Sequence, residues 1–181
     1  MATHAAAPER PESADLVGGA RNGDPDALGM LYDAFGAGLF RLAYRLTGTR
    51  EDAEDVVHDV FVGLPEALVR YEERGQFGAW LRRVTARVAL MRLRGQVRRR
   101  ESGLGDAAEL PARTEETSEQ VELRAAVDAL PPELRSVLVL KEMEGYSHAE
   151  IAALLGISAA ASRVRLFRAI RHVRRKLEED R

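Results

Sequence analysis

The sequence contains no cysteine among its 181 residues, and only 6% of them are aromatic. The absence of cysteine excludes disulfide bonds, thiolate zinc sites and a cysteine nucleophile. No apolar run approaches the roughly 20 residues needed to span a membrane. Residues 1–12 lack the apolar core of a signal peptide. We therefore expect a cytoplasmic protein without a membrane partner.

The formal net charge of −2 hides a strong segregation of charge along the chain. Eight arginines and no acidic residue lie in residues 81–100, whereas residues 51–59 and 101–122 are strongly acidic. Because local fields rather than net charge decide binding, the arginine-rich stretch remains compatible with a nucleic-acid partner.

Apolar residues recur at helical spacing, and the sequence shows neither strand patterns nor internal repeats. We therefore predict an all-α protein with two small helical domains joined by a flexible linker. In the first domain, Gly29, Gly36 and Gly38 are expected to bend the first helix, and Gly48 to end it. Pro65 is expected to end or kink the next helix.

Composition gives the expected domain boundaries. Residues 1–14 are rich in alanine, proline and charge, and are predicted to be disordered. A first domain is expected over residues 15–100, with its first helix after the Asn22-Gly23-Asp24-Pro25 loop. Residues 101–119 lack periodicity and predict an acidic linker. The second domain is expected over residues 120–181.

The second domain has the pattern of a helix-turn-helix. Ser147 and Glu150 form a capping box at the start of one helix, and Gly156 is suited to end it. Ser158 can cap the next helix, which is rich in arginine. The apolar stripe predicted for this last helix consists of Leu166, Ile170, Val173 and Leu177. A capped helix, a short turn and a basic second helix together favour DNA binding in the major groove.

Other functions remain open on the residues alone. Arginine-rich amphipathic helices also occur as solvated faces, membrane-surface helices or partner-binding helices. A stand-alone helix-turn-helix regulator would use the same C-terminal domain, and a helical adaptor could bind an acidic protein. An enzyme is disfavoured because no nucleophile, metal set or phosphate loop appears, so we expect no catalytic residues, metal ligands or cofactors.

Four segments carry a resemblance to a known family, in their order and spacing: residues 51–61 (EDAEDVVHDVF), 77–81 (FGAWL), 130–132 (LPP) and 145–152 (GYSHAEIA). From about Leu28 to Leu177 the chain resembles a bacterial extracytoplasmic-function (ECF) sigma factor of the sigma-70 family. The resemblance implies a promoter-specificity subunit with two partners, core RNA polymerase and promoter DNA. It leaves open whether an anti-sigma factor is a third.

The same resemblance assigns roles to the two domains. The first, sigma region 2, would bind polymerase and melt the minus-ten element, and the second, sigma region 4, would read the minus-35 element. The polymerase-binding residues would be Asp55, His58, Asp59 and Phe61. The minus-ten residues would be Tyr71, Trp80, Arg83, Arg87 and Val88. The minus-35 residues would be Ser158, Arg163, Val164, Arg165, Phe167, Arg168 and Arg171.

Physical chemistry bears on several of these residues. Unstacked bases need aromatic faces and nearby cations, which Tyr71 and the arginines of the following helix would supply. Helical periodicity favours core positions for Phe77 and Trp80, so Tyr71, in a loop, is the preferred stacking residue. Phe61 is equally suited to the core. Val88 stands where such sigma factors often have asparagine, which predicts permissive reading of one minus-ten base.

Overall fold

The computed structural model describes residues 13–72, 75–101 and 118–179. Within these ranges the regular elements are α-helices and one π-helical turn, which confirms the all-α prediction. The helices of the first domain are α1 (Ser13–Arg21), α2 (Pro25–Thr47), α3 (Arg50–Val62), α4 (Leu64–Leu68) and α5 (Phe77–Glu101). Those of the second are α6 (Ser118–Asp128), α7 (Pro132–Leu138), α8 (His148–Leu155) and α9 (Ala159–Glu179). None of these helices is both long and apolar enough to cross a lipid bilayer.

Helix α1 is an element that the sequence did not predict. It packs against α2 and α4 and buries Val17 and Ala20. Two adjacent glycines weaken its sequence signal, yet close packing requires one of them: a Cβ at Gly19 would lie 2.9 Å from the Cβ of Ala27. Helix α1 begins at Ser13, so residues 13 and 14, which the sequence predicts to be disordered, are helical. Residues 1–12 lie outside the described ranges.

Helix α2 runs unbroken for 23 residues, so its glycines do not interrupt the helix. Packing against α3 and α5 holds it together, because burial of residues such as Leu39 and Leu42 outweighs the low helical propensity of glycine. Asp24 caps its start through the amide of Asp26. Gly48 ends it in the left-handed conformation with φ of 85°, as predicted.

The expectation for Pro65 is confirmed. Helix α3 ends at Val62, and Pro65 lies in the first turn of the short helix α4, where its missing amide hydrogen costs no helical bond. Helix α5 then crosses α2 and α3, and its buried residues, Phe77 and Leu81 among them, complete the core of the first domain.

In the second domain, α7 continues into a π-helical turn, Val139–Met143, before the chain reverses at Gly145. Helices α6, α7 and α9 enclose a small cluster formed by Val127, Leu130, Leu138 and Ala169. Ala169 and Ser162 are the buried residues of α9, flanked by the half-buried Leu166 and Val173. Ile170 is 38% exposed, so its assignment to the apolar stripe is wrong.

The two domains pack against each other, α7 on α2 and α8 on α5. One buried cluster contains residues from both, including Leu42 and Leu46 from the first domain and Val139, Leu140 and Ile151 from the second. The sequence predicted two small domains on a tether and gave no indication of this contact. The predicted acidic linker falls almost entirely on residues 102–117, which lie outside the described ranges.

Candidate nucleic-acid interface

Local hydrogen bonds build the helix-turn-helix. The hydroxyl of Ser147 accepts from the amide of Glu150 (3.2 Å), whose carboxylate accepts from the amide of Ser147 (2.9 Å). This capping box starts α8 where it was predicted. Gly156 ends α8 with φ of 67°, and the Ser158 hydroxyl accepts from the amide of Ala161 (3.0 Å) at the start of α9. The two helices are therefore set by caps on both sides of a short turn.

A buried polar contact links the two helices of the motif. Nδ1 of His148, in the first turn of α8, lies 2.9 Å from Oγ of Ser162, which is fully buried in α9. Because a buried hydroxyl requires a partner, this contact sets the approach of α9 to α8. The sequence gave no signal for it, since it depends on how the helices cross.

The outer face of α9 presents most of the residues assigned to minus-35 DNA. The exposed members are Ser158, Arg163, Val164, Phe167, Arg168 and Arg171. Arg165 is half-buried. Phe167 is 63% exposed, and the Arg171 guanidinium lies over its ring at 5.8 Å, within the range of a cation–π contact. The face thus combines cations with apolar groups, as direct base contact requires.

Further arginines continue the positive surface toward the C-terminal end of α9. A shallow surface cavity of about 470 Å³ there is lined by Arg168, Arg171, His172, Arg174, Arg175 and Glu178. Arg175 lies 3.8 Å from Glu179, one turn further on. Arginine clusters of this kind suit phosphate groups.

Helix α3 presents the residues assigned to polymerase binding. Asp55, His58 and Asp59 are exposed and lie at helical spacing on one face. Phe61 is half-buried, and its ring meets that of Tyr32 edge to face with centroids 5.1 Å apart. Phe61 therefore contributes to packing as well as to the surface.

A network behind that face was missed by the sequence analysis. Asp52 accepts from Nε of Arg92 (2.8 Å), Nε2 of Gln96 (2.6 Å) and the Thr49 hydroxyl (2.7 Å). Burial would raise the pKa of Asp52, but these hydrogen bonds outweigh it and lower the pKa below its usual 3.8. Arg92 also forms an ion pair with Asp55. Helix α5 therefore holds one of the predicted polymerase-binding carboxylates.

The aromatic residues assigned to minus-ten DNA form a packed cluster. Tyr71 is only 8% exposed, with its ring 4.7 Å from that of Trp80 and 5.6 Å from that of Phe77. Tyr71, which was preferred for stacking because it lies in a loop, is therefore covered by tertiary packing. Phe77 is buried, as predicted, and Trp80 is half-buried. Trp80 has more free surface for a base than Tyr71.

The remaining minus-ten residues lie on α5. Arg87 is exposed, whereas Val88 is half-buried and packs against the core. Arg83 forms an ion pair with Glu150 of α8 at 3.0 Å. The Ser147 amide and hydroxyl lower the pKa of Glu150, and Arg83 adds to this effect. A residue assigned to DNA thus also contacts the second domain, although 62% of its side chain stays exposed.

Other cations of the first domain also contact the second. Arg45 of α2 lies 3.3 Å from the Glu144 carboxylate, and Arg82 of α5 contacts its other oxygen. Arg94 donates to the Leu154 carbonyl (2.7 Å) at the end of α8. These partners are far apart in sequence, so periodicity could not reveal them. Within the described ranges, no three histidine, aspartate or glutamate residues are grouped to hold a metal ion.

Comparison with known proteins identifies both domains. The family model described as Sigma-70 region 2 matches residues 31–99, and that described as Sigma-70, region 4 matches residues 120–173. The ECF RNA polymerase sigma factor SigE of Mycolicibacterium smegmatis is 36% identical over 146 residues, covering 75% of this chain and 56% of SigE. The ECF RNA polymerase sigma factor SigM of Mycobacterium tuberculosis is 28% identical over 157 residues, covering 87% of this chain and 80% of SigM.

A solved structure supports the same assignment. The structure of CnrH in complex with the cytosolic domain of CnrY matches with a TM-score of 0.59 and 28% identity, covering 93% of this chain and 99% of CnrH. This chain thus spans a little over half of SigE but nearly all of CnrH. The two family models occur in the order expected from the sequence and together match more than half of the chain. The chain therefore belongs to the sigma-70 family of RNA polymerase sigma factors, within its ECF group.

Proposed function

We propose that this chain directs core RNA polymerase to specific promoters at the start of transcription. The observation that carries the proposal is the helix-turn-helix, whose second helix exposes Arg163, Arg168 and Arg171 beside Phe167, on a chain that also contains sigma region 2. An isolated helix-turn-helix regulator would not need the second module. The chain would act in the cytoplasm and perform no catalysis itself, because the polymerase forms the phosphodiester bond.

Polymerase binding is assigned to the exposed face of α3. Asp55, His58 and Asp59 lie there, and Val62 continues the same face with 67% of its surface exposed. An acidic helix with an apolar margin is complementary to a basic surface that contains an apolar contact. Phe61, packed on Tyr32, supports this face from behind.

Minus-35 recognition is assigned to the outer face of α9. Arg163, Val164 and Arg168 lie in its N-terminal half, the part of a recognition helix that reaches base edges. Ser158 and Arg165 flank this part, and Phe167 and Arg171 extend it. Arg174 and Arg175 lie further along and are placed to contact phosphate.

Minus-ten recognition is assigned to Trp80, Tyr71, Arg83, Arg87 and Val88. Trp80 offers the most accessible aromatic surface, with Tyr71 supporting its ring. Arg87 is exposed for the strand, and Arg83 becomes available once its contact with Glu150 opens. Val88 can offer only apolar contact to a base, so reading at that position would be permissive.

A protein partner is also proposed. CnrH was solved with the cytosolic domain of CnrY, and the sigma factor RpoE of Bartonella quintana was solved with the anti-sigma factor NepR. By analogy, an anti-sigma factor would bind this chain and keep it from polymerase.

The test is transcription in vitro from fragmented genomic DNA, with bacterial core polymerase alone and with the full chain added. Sequencing the 5′ ends of the transcripts should show new starts that share two motifs at constant spacing. The matched comparison uses Asp59→Lys, which should lose these starts, and Asp15→Lys, at an exposed carboxylate on α1, which should keep them. Absence of new starts with the natural chain would refute the proposal, and binding to palindromic DNA without polymerase would favour a stand-alone regulator.

A further inference from the structure

The carboxylate of Glu144 lies at the junction of the two domains. It belongs to the residue that follows the π-helical turn, its side chain is only 1% exposed, and it contacts Arg45 of α2 and Arg82 of α5. A carboxylate removed from water needs such partners, because desolvation without them is costly. Both partners come from the first domain, so Glu144 is satisfied only while the domains are docked.

Contacts along α5 extend this junction. Arg83 pairs with Glu150 near the start of α8, and Arg94 donates to the Leu154 carbonyl near its end. Arg83 and Arg94 are eleven residues apart, about three helical turns, so they share a face of α5. A cation at a helix C-terminus also interacts favourably with the helix dipole. Helix α8 is therefore held at both ends by arginines of the first domain.

Apolar and backbone contacts reinforce the ionic ones. Leu140 and Ile151 are fully buried in the cluster that also contains Leu42 and Leu46 of α2. Arg135 of α7 lies against Gly48, so closely that its guanidinium occupies the space of a side chain there. The docked arrangement thus combines a sealed carboxylate, two further polar contacts and shared apolar surface.

Two groups can bind the arginines of α5: the carboxylates of the second domain and the phosphates of single-stranded DNA. Arg83 is among the residues proposed to hold the minus-ten strand, and Arg82 is its neighbour on α5. The donor that a guanidinium gives to a carboxylate is not available to a phosphate, and the negative charge of the carboxylate repels the phosphate. Arg83 pairs with Glu150 while 62% of its side chain stays exposed. Docking of α8 therefore weakens this part of the proposed strand-binding surface without covering it.

We propose that the second domain of this chain competes with single-stranded promoter DNA for the first domain. It does so mainly through the contacts of Glu144 with Arg45 and Arg82, which we call the clasp. This inference rests on the proposed function for its biological meaning. In the free protein the clasp stabilises the closed state, in which the two domains are docked. Core polymerase must separate the domains to place them on two promoter elements. This separation releases the arginines for DNA.

Interdomain distance tests the clasp directly. The natural sequence has no cysteine, so spin labels can be placed at Asp33→Cys on α2 and Glu178→Cys on α9 of the full chain, both exposed sites. The otherwise natural chain should give a single narrow distribution of distances, corresponding to the docked arrangement. Adding Glu144→Gln should raise the ratio of open to closed molecules about tenfold, equivalent to about 1.4 kcal/mol. Glu142→Gln, an exposed glutamate on the same turn, is the matched control and should change nothing.

Two further measurements guard against a folding defect. Arg82→Gln, on the other domain, should open the chain as well, and the double variant should open it less than the sum of the two. Affinity for a random single-stranded DNA oligonucleotide should rise about tenfold in Glu144→Gln, because apparent affinity follows the competent fraction. Unchanged helicity by circular dichroism would show that each variant is folded.

The proposal is overturned if Glu144→Gln gives the same distances as Glu142→Gln, or if the natural chain is already open without polymerase. It is also overturned if the distances widen and DNA affinity does not rise. These measurements use neither polymerase nor promoter. The clasp can therefore be refuted while promoter-specific transcription succeeds, and it can be supported while promoter-specific transcription fails.

Discussion

At the scale of single residues, Asp52 connects the cap of α3 to α5. Its carboxylate accepts from Thr49 on its own helix and from Arg92 and Gln96 on α5. The side chain is 14% exposed and that of Arg92 28% exposed, so solvent screens this ion pair less than a surface pair. Removing the charge would leave Arg92 with its ion pair to Asp55 and the more distant charge of Asp59.

Asp52→Asn should therefore lower the free energy of unfolding at neutral pH by about 1–3 kcal/mol. The pKa of Asp52 is lower in the folded chain than the usual 3.8, so its charged form stabilises the fold above about pH 4. This contribution is lost as the pH falls through the folded pKa. Urea unfolding between pH 2 and 7 should show a shallower acid loss in Asp52→Asn than in the natural chain.

Glu51→Gln is the control for this prediction, because Glu51 is exposed in the same helical turn. It should keep the acid dependence of the natural chain. Identical acid dependence in Asp52→Asn and the natural chain would show that the network does not stabilise the fold.

Arg168 and Arg175 separate base reading from phosphate contact on α9. If Arg168 contacts a guanine edge, Arg168→Ala should lose about 1–3 kcal/mol of binding to promoter DNA and relax selection at one minus-35 position. Arg175 pairs with Glu179, and Arg175→Ala should weaken binding to promoter DNA and to random DNA by the same factor. Quantitative binding to a library of single-base variants measures both. Equal losses on all sequences for Arg168→Ala would make it a phosphate contact.

At the scale of elements, two helices end at glycines with the same backbone conformation but different surroundings. Gly48 has φ of 85° and Gly156 has φ of 67°, both in the left-handed region. A Cβ on Gly156 would meet no atom within 4 Å, whereas one on Gly48 would collide with Arg135. The guanidinium of Arg135 also donates to the carbonyls of Asp128 and Leu130 at the end of α6.

Gly156→Ala should therefore lose only the backbone cost of a left-handed alanine, about 1–2 kcal/mol. Gly48→Ala should lose the same amount and a further contribution from moving Arg135 off α6. Chemical unfolding of the two variants measures the difference. In an Arg135→Ala background, Gly48→Ala should lower the free energy of unfolding by no more than Gly156→Ala does. A larger loss in that background would show that the excess has a cause other than Arg135.

The helix ends were predictable from sequence because their causes are local. Gly48, Gly156, Ser147 and Pro65 act on residues within one turn, and each acts in the structure as expected. Helix α1 was missed because its two glycines give a weak helical pattern that only contact with α2 offsets. Contacts across domains have no local signal, so a sequence could not reveal them.

The candidate site shows the same limit. The exposed face of α9 followed from helical spacing, but the burial of Tyr71 did not, because Phe77 and Trp80 cover it from the next helix. Similarly, the arginines of α5 were identified as cations without any indication that Glu144 and Glu150 neutralise two of them.

At the scale of the whole molecule, a buried cluster shared by both domains predicts that they unfold together. Trp80, the one tryptophan of the sequence, lies in the first domain, whereas the circular dichroism signal comes from helices of both. Urea curves from tryptophan fluorescence and from circular dichroism should coincide in the natural chain. Leu140→Ala, which removes a fully buried side chain of the second domain, should shift both curves to lower urea.

An exposed substitution in the second domain, Met143→Ala, is the control and should shift neither curve by much. Fluorescence that is unaffected by Leu140→Ala would show that the first domain is stable independently of the second.

The π-helical turn at Val139–Met143 takes up one extra residue within a single turn. The amide of Glu144 donates to the carbonyl of Val139, five residues earlier, so the turn holds one residue more than an α-helix would. Deleting one residue there would restore regular α-helical winding and leave the following residues close to their present positions, because the wider turn takes up the extra residue locally. Glu144 would then stay near Arg45 and Arg82, whereas deleting a residue from the regular helix α7 would rotate it away by about 100°. The turn therefore marks a place where the chain can gain or lose one residue and keep the docking of the two domains.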